Sequence, residues 1–266
     1  MSLTDASQLS HSAALAALAW QMEMGVAEAT KDDPINRYEA APPPPLPKMG
    51  SQSNIQSVSA PPVIPQVQET APDIARILAG RANTLDDLRN AMAVFEHCAL
   101  KKGARNLVFS DGNPAARVMI VGEGPGRNED IEGKPFVGRA GQMLDRMFAA
   151  IGLSRQNEGA DALYITNVVP WRPPQNRDPE PEEIAMMLPF LERHIALVDP
   201  DVLVPMGNIA CQALLGRKGI TRLRGTWTET QGRPTLPMLH PAFVLRDPIR
   251  KRDVWADLLA LKARLR

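Results

Sequence analysis

Three carboxylates crowded behind an apolar run are the first residues of this sequence with chemical potential. Arg117-Val-Met-Ile-Val leads into Gly122-Glu-Gly-Pro-Gly-Arg-Asn-Glu-Asp130, which carries Glu123, Glu129 and Asp130. Carboxylates held near a ligand suit a reaction in which positive charge develops on the substrate. Gly133-Lys-Pro-Phe-Val-Gly-Arg-Ala-Gly141 follows at once and sets one aromatic, Phe136, among glycines. A flat ring there could lie against a base; core packing would account for it equally well. A second apolar run, Leu163 to Val169, contains Asn167, whose amide offers a donor and an acceptor to one base edge. A fourth run leads to His240-Pro-Ala-Phe-Val-Leu-Arg246. A lone histidine is more often structural than catalytic. Here Glu, Phe, Asn and His fall at or near the ends of successive apolar runs, which favours a shared site.

Two phosphate-binding readings fail on the residues. A dinucleotide fingerprint needs glycine where Arg127 stands, and a phosphate-binding loop needs a Gly-Lys-Ser/Thr ending that is absent.

The elements that must position these groups alternate. Strands are expected at Arg117–Gly122, Leu163–Val169, Val202–Met206 and Leu236–Leu239. Helices are expected at Gly141–Leu153, Pro181–Val198, Asn208–Leu215 and Pro248–Leu265. Upstream, Thr84 with Asp87 three residues on reads as a helix start, and Leu85, Leu88, Met92 and Phe95 repeat at helical spacing. Short apolar strands alternating with helices predict an α/β fold, a three-layer α/β/α sandwich around a mostly parallel four-stranded sheet. Ligands of such sheets bind beyond the carboxyl ends of the strands, where the candidate residues lie.

Composition bounds the rest. The chain has 266 residues, 44% apolar and 23% charged, with thirty basic and thirty acidic side chains. That balance excludes a polycationic tail protein, yet it hides an asymmetry. Residues 217–266 hold twelve Lys/Arg against four Asp/Glu, while residues 1–75 hold three against eight. A basic stretch is a possible phosphate footprint, although a solvated helix face would look the same. Ten of the 25 prolines fall between Pro34 and Pro72, among Ala, Ser, Gln and Val. Such a stretch cannot bury enough apolar surface to order itself. The expected organisation is an amphipathic helix within residues 1–29, a Pro-rich linker at 30–75 and a folded domain at 76–266. The helix could dock on the body or bind an unidentified partner. No apolar run is long enough to span a bilayer, and no Lys or Arg precedes Lys31, so a cytoplasmic protein with no membrane partner is expected.

Taken together, Gly122-Glu-Gly-Pro-Gly with Glu129-Asp130, Gly133-Lys-Pro-Phe-Val-Gly, Ile165-Thr-Asn-Val-Val, Arg172-Pro-Pro-Gln-Asn-Arg and His240-Pro-Ala resemble the motifs of the family 4 uracil-DNA glycosylases. Each motif is weak alone; five in order are specific. The resemblance covers roughly Leu85 to the C-terminus. It implies a DNA-repair hydrolase that flips deoxyuridine from DNA and cuts its N-glycosidic bond, opening base excision repair. On the same resemblance Phe136 stacks on the flipped base, Asn167 reads its edge, and His240 bonds the uracil O2. Glu123 shapes the sugar side and Glu129 orients water. Gly124 stands in the substrate pocket where some related glycosylases carry an aspartate. Phe243, Leu245 and Arg246 would contact DNA from a loop entering the minor groove. The expected partner is uracil-containing DNA and the expected state a monomer. The rival reading is a non-catalytic damaged-DNA binding protein on the same fold.

One departure stands out. The family usually carries a [4Fe–4S] cluster on four cysteines, and only Cys98 matches that pattern. The other three positions hold Phe95, Trp171 and Met187, and the second cysteine, Cys211, lies outside it. One thiolate cannot hold such a cluster. The expectation is therefore no cofactor and no metal.

Overall fold

The computed structural model describes residues 70–266. The helix expected within residues 1–29 and most of the Pro-rich stretch lie outside the described residues.

Helices α1 (Ala71–Arg81), α2 (Leu85–Val94) and the short α3 (Leu100–Gly103) come first. The Thr84 cap is formed: its side chain accepts the Asp87 amide N–H, and the Asp87 carboxylate accepts the Thr84 N–H in return. Helix α1 begins inside the stretch read as linker, five residues before the expected domain start at 76. The chain then runs β1 (Asp111–Gly112), β2 (Val118–Gly122), α4 (Arg127–Glu132), α5 (Arg139–Ala149), β3 (Leu163–Asn167) and α6 (Pro181–Val198). It continues with β4 (Val202–Pro205), α7 (Gly207–Leu215), α8 (Ile220–Leu223), β5 (Thr228–Thr230) and β6 (Arg233–Thr235). Helices α9 (Pro241–Arg246) and α10 (Lys251–Leu265) close it.

The sheet order is β1-β3-β2-β4-β6-β5. Its middle is the expected set of four parallel strands, β3, β2, β4 and β6. Two antiparallel edge strands, β1 and β5, extend it to six. The fourth parallel strand begins earlier than expected, at Arg233. Leu236–Leu239 continues along β4 through the bonds Leu236 N–H to Leu203 O and Met238 N–H to Pro205 O.

The strands are buried on both faces, so their residues alternate between two cores. Met119, Val121, Tyr164 and Leu203 face a layer made by α1, α2 and α6. Val118, Ile120, Ile165 and Val204 face α5, α9 and α10. That is the three-layer sandwich. The segment expected to be a DNA-entering loop, Pro241–Arg246, is helix α9 instead. His240 caps it: its Nδ1 accepts the Ala242 N–H at 3.2 Å. Histidine is outside the usual N-cap set, which left Pro241 in the first turn as the start signal.

Asp130 ties the first βα turn to the body. Its carboxylate accepts the backbone N–H groups of Arg105 and Asn106 at 2.8 and 3.1 Å. Asp130→Ala leaves two part-buried donors unpaired and should cost about 1–3 kcal/mol in urea unfolding. A midpoint equal to wild type would show that the turn is held otherwise.

Candidate active site

Strands β2 and β3 run side by side in parallel register, which pairs Gly122 with Asn167 at their carboxyl ends. Gly122 has no side chain, and two groups use the space. A Cβ there would lie 2.3 Å from Asn167 Oδ1 and 2.5 Å from the Phe136 ring. The ring and the amide thus meet over a bare backbone. Phe136 is buried, and its backbone adopts a left-handed φ of +54°. Its ring lies 5.4 Å from the His240 imidazole, tilted by 31°.

These groups line one cavity of about 690 Å³. All six residues expected in the pocket, Glu123, Gly124, Glu129, Phe136, Asn167 and His240, are on its wall, with Phe243 and Arg246 of α9 at its edge. Leu245 is not among them. It turns to a neighbouring groove with Met143, Met147 and Lys251. The wall also holds Asn176, Arg177 and Asp178, residues of or next to the Arg172–Arg177 motif to which sequence reasoning gave no role.

Local chemistry distinguishes the two glutamates. Glu129 is anchored: one carboxylate oxygen accepts the Val137 and Gly138 N–H groups at 3.0 and 2.9 Å, at the start of α5. The other oxygen lies over Gly126, where a Cβ would come within 2.7 Å of it. Glu123 has a different environment. Burial, aided by the Asp178 carboxylate, pushes its carboxyl up to about 7. At Gly124 a Cβ would lie 2.7 Å from Val169 Cγ2, so an aspartate could enter only if Val169 moved.

His240 is held neutral. Burial and the nearby Arg246 guanidinium push its imidazole down to about 4, against the opposing pull of Glu129. Because Nδ1 accepts a backbone N–H, the ring proton sits on Nε2. The site therefore presents a neutral N–H donor. Lys134 is not on the pocket wall; its ammonium is exposed and lies 3.6 Å from the Asp111 carboxylate.

Residues 109–259, more than half of the chain, match the family model described as the uracil DNA glycosylase superfamily. The chain belongs to the uracil-DNA glycosylase superfamily. Among its relatives, the type-4 uracil-DNA glycosylase of Archaeoglobus fulgidus is 38% identical over 183 residues, which is 65% of this chain and 89% of that protein. The Thermotoga maritima type-4 enzyme is 40% identical over 153 residues, 56% of this chain and 77% of the other. A type-5 uracil-DNA glycosylase of Thermus thermophilus is 34% identical over 121 residues, 42% of this chain and 55% of that one.

The family 4 resemblance assigns four positions of this chain to an iron–sulfur cluster. Phe95, Cys98, Trp171 and Met187 are each at most 3% exposed and belong to one apolar core. Phe95 also packs edge-on against Phe190 at 5.4 Å. Cys211 sits in the core of the opposite face. Burial, with the Glu183 carboxylate nearby, pushes the Cys98 thiol up, away from the thiolate a metal needs. These residues do not fit an iron–sulfur cluster. Among the described residues no group of three or more His, Cys, Asp or Glu could hold a metal ion.

Side chains that fill this volume must carry packing energy. Trp171→Ala should destabilise the protein by about 3–5 kcal/mol, as large-to-small core changes do. Cys98→Ser should cost less, about 1–3 kcal/mol for one buried hydroxyl. Calorimetric melting of both variants would expose the opposite ranking.

Proposed function

We propose that this chain is a uracil-DNA glycosylase that flips deoxyuridine out of DNA and hydrolyses its N-glycosidic bond, leaving an abasic site for base excision repair. The observation that carries the reading is the convergence of Phe136, Asn167 and the neutral His240 donor on one cavity, within a chain similar to several type-4 enzymes. Uracil would stack on Phe136 while the Asn167 amide reads its edge. Cytosine carries an amino group where uracil has a carbonyl, so a fixed amide accepts one and rejects the other.

As the C1′–N1 bond breaks, its electron pair leaves with the base, and negative charge grows on the uracil O2. The Nε2–H of His240 would donate to that oxygen. A neutral donor stabilises the anion without giving up a full proton. The sugar meanwhile becomes cationic, which Glu123 and Glu129 would stabilise. Glu129, with one oxygen pinned, is suited to orient the water that adds to C1′ and to take the proton that this water loses. Phe243, Arg246 and, from the adjoining groove, Leu245 would meet the DNA around the site. No motif lysine faces the cavity, so we infer a monofunctional enzyme without Schiff-base lyase action.

We also infer that the enzyme works without an iron–sulfur cluster, as a monomer in the cytoplasm. The filled ligand positions support the first point. Two buried, unpaired cysteines accord with a reducing compartment. Among the described residues no helix is long and apolar enough to cross a membrane.

A uracil-containing oligonucleotide should be cut only after alkali is added, by protein that is colourless, iron-free and indifferent to chelators. Strand scission without alkali, or stoichiometric iron in anaerobically purified protein, would overturn these parts of the reading. Asn167→Asp and His240→Ala should each slow single-turnover release by about two to three decades. Wild-type rates in both would remove the base pocket from this cavity.

The elevated Glu123 carboxyl sets a pH dependence. The ionised form stabilises a cationic sugar, so the rate should rise with pH through about 7. His240, already neutral above about 4, should add no limb near its ordinary value. Glu123→Gln should flatten the rise. A wild-type profile level from pH 6 to 8 would contradict this role.

A further inference from the structure

Phe136 is one of the non-glycine residues with left-handed backbone, and its ring forms a wall of the cavity. For a bulky residue that conformation costs free energy, so its surroundings must impose it. Two groups hold the peptides around it. Glu129 takes the N–H groups of Val137 and Gly138. The Arg155 guanidinium donates to the Pro135 carbonyl oxygen at 2.9 Å and to the Phe136 carbonyl oxygen at 3.0 Å. Gly141 clears the approach: a Cβ there would lie 1.6 Å from the Phe136 oxygen.

Arg155 is itself fixed. Its Nε donates to Asp145 at 2.9 Å and its Nη1 to Asp111 at 3.0 Å, and its side chain is 10% exposed. The planar fork thus joins β1, α5 and the Phe136 loop. Only a guanidinium carries enough donors in one plane to serve two carboxylates and two carbonyls together. Arg155 does not line the cavity, so it touches neither base nor sugar directly.

We propose that Arg155 is a positioning residue for base excision: by holding the carbonyls of Pro135 and Phe136, it sets the plane on which the flipped base stacks. This rests on the reading of the cavity as a uracil pocket. Misplacing a reacting group by about 1 Å can cost about a hundredfold in rate. Arg155→Ala in the full chain should therefore slow single-turnover uracil release by about 10–100-fold and weaken inhibition by free uracil in proportion. Affinity for uracil-free duplex should stay within about twofold, since no phosphate contact is removed.

A residue that only stabilises the fold would not behave this way, and two variants separate the cases. Arg155→Lys keeps the charge between Asp111 and Asp145 but loses the fork; it should regain most of the melting temperature and little of the rate. In a Phe136→Ala background, Arg155→Ala should slow the reaction by less than about threefold more, because both changes remove one function. Hydrogen–deuterium exchange gives a readout independent of activity. The Val137 and Gly138 amides should exchange about tenfold faster in Arg155→Ala and Arg155→Lys. Unchanged exchange, a wild-type rate, or full additivity with Phe136→Ala overturns the positioning role. If the wild-type protein releases no uracil from any strand, the proposed function falls, while exchange still decides whether Arg155 holds the loop.

Discussion

The site depends on one bare backbone position. Gly122 ends β2 opposite Asn167 of β3, and the space a side chain would fill is taken by the Asn167 amide and the Phe136 ring. Parallel pairing sets the first partner, and the loop from α4 to α5 brings the second. Both groups reach the wall of the cavity, which Gly122 itself does not line. The rest of the site adds to that pair. Glu129 bonds the Phe136 loop through the Val137 and Gly138 N–H groups, and His240 caps α9 at the cavity wall. Burial, with Arg246 beside the one and Asp178 beside the other, pushes that imidazole down to about 4 and the Glu123 carboxyl up to about 7.

The two faces of the sheet have separable tasks. Phe136 packs in the core shared by α5, α9 and α10, whereas Phe95, Cys98, Trp171 and Met187 pack in the core of α1, α2 and α6. The positions that the family 4 resemblance assigns to a cluster thus lie on the face of the sheet opposite the Phe136 ring. The Arg177–Glu183 pair, bonded at 2.9 and 2.7 Å, ties the strand-end loop to α6 near Cys98, a second covering for the same region. Membership in the superfamily thus goes together with non-cysteine residues at three of those four positions.

Much of this was legible in the residues. Parallel strands buried on both faces are continuous apolar runs, so β2, β3 and β4 announce themselves, and Pro181 marks the start of α6. Glu123, Glu129, Phe136, Asn167 and His240 drew notice because they lie at or near strand ends, whereas Gly124 and the roles of all six came from the family 4 resemblance. What was hidden depends on tertiary partners. Strand β1 has two residues and β5 three, too short to show a period. Helix α9 begins on a histidine cap, which no propensity rule anticipates. Leu245 cannot be assigned to one side of that helix before the helix is known. Arg155 carries no motif at all; its role exists only because Pro135 and Phe136 present their carbonyls to it.

Gly122→Ala tests most directly whether the base is held by the Phe136 ring and the Asn167 amide that pack over this glycine. The added methyl would fall on the Asn167 amide and the Phe136 ring, forcing one of them out of place. Single-turnover uracil release by a variant that melts cooperatively and binds uracil-free duplex normally should drop by about a hundredfold or more. Release at the wild-type rate by that same folded variant would contradict the account, because the base would then be held somewhere other than between this ring and this amide.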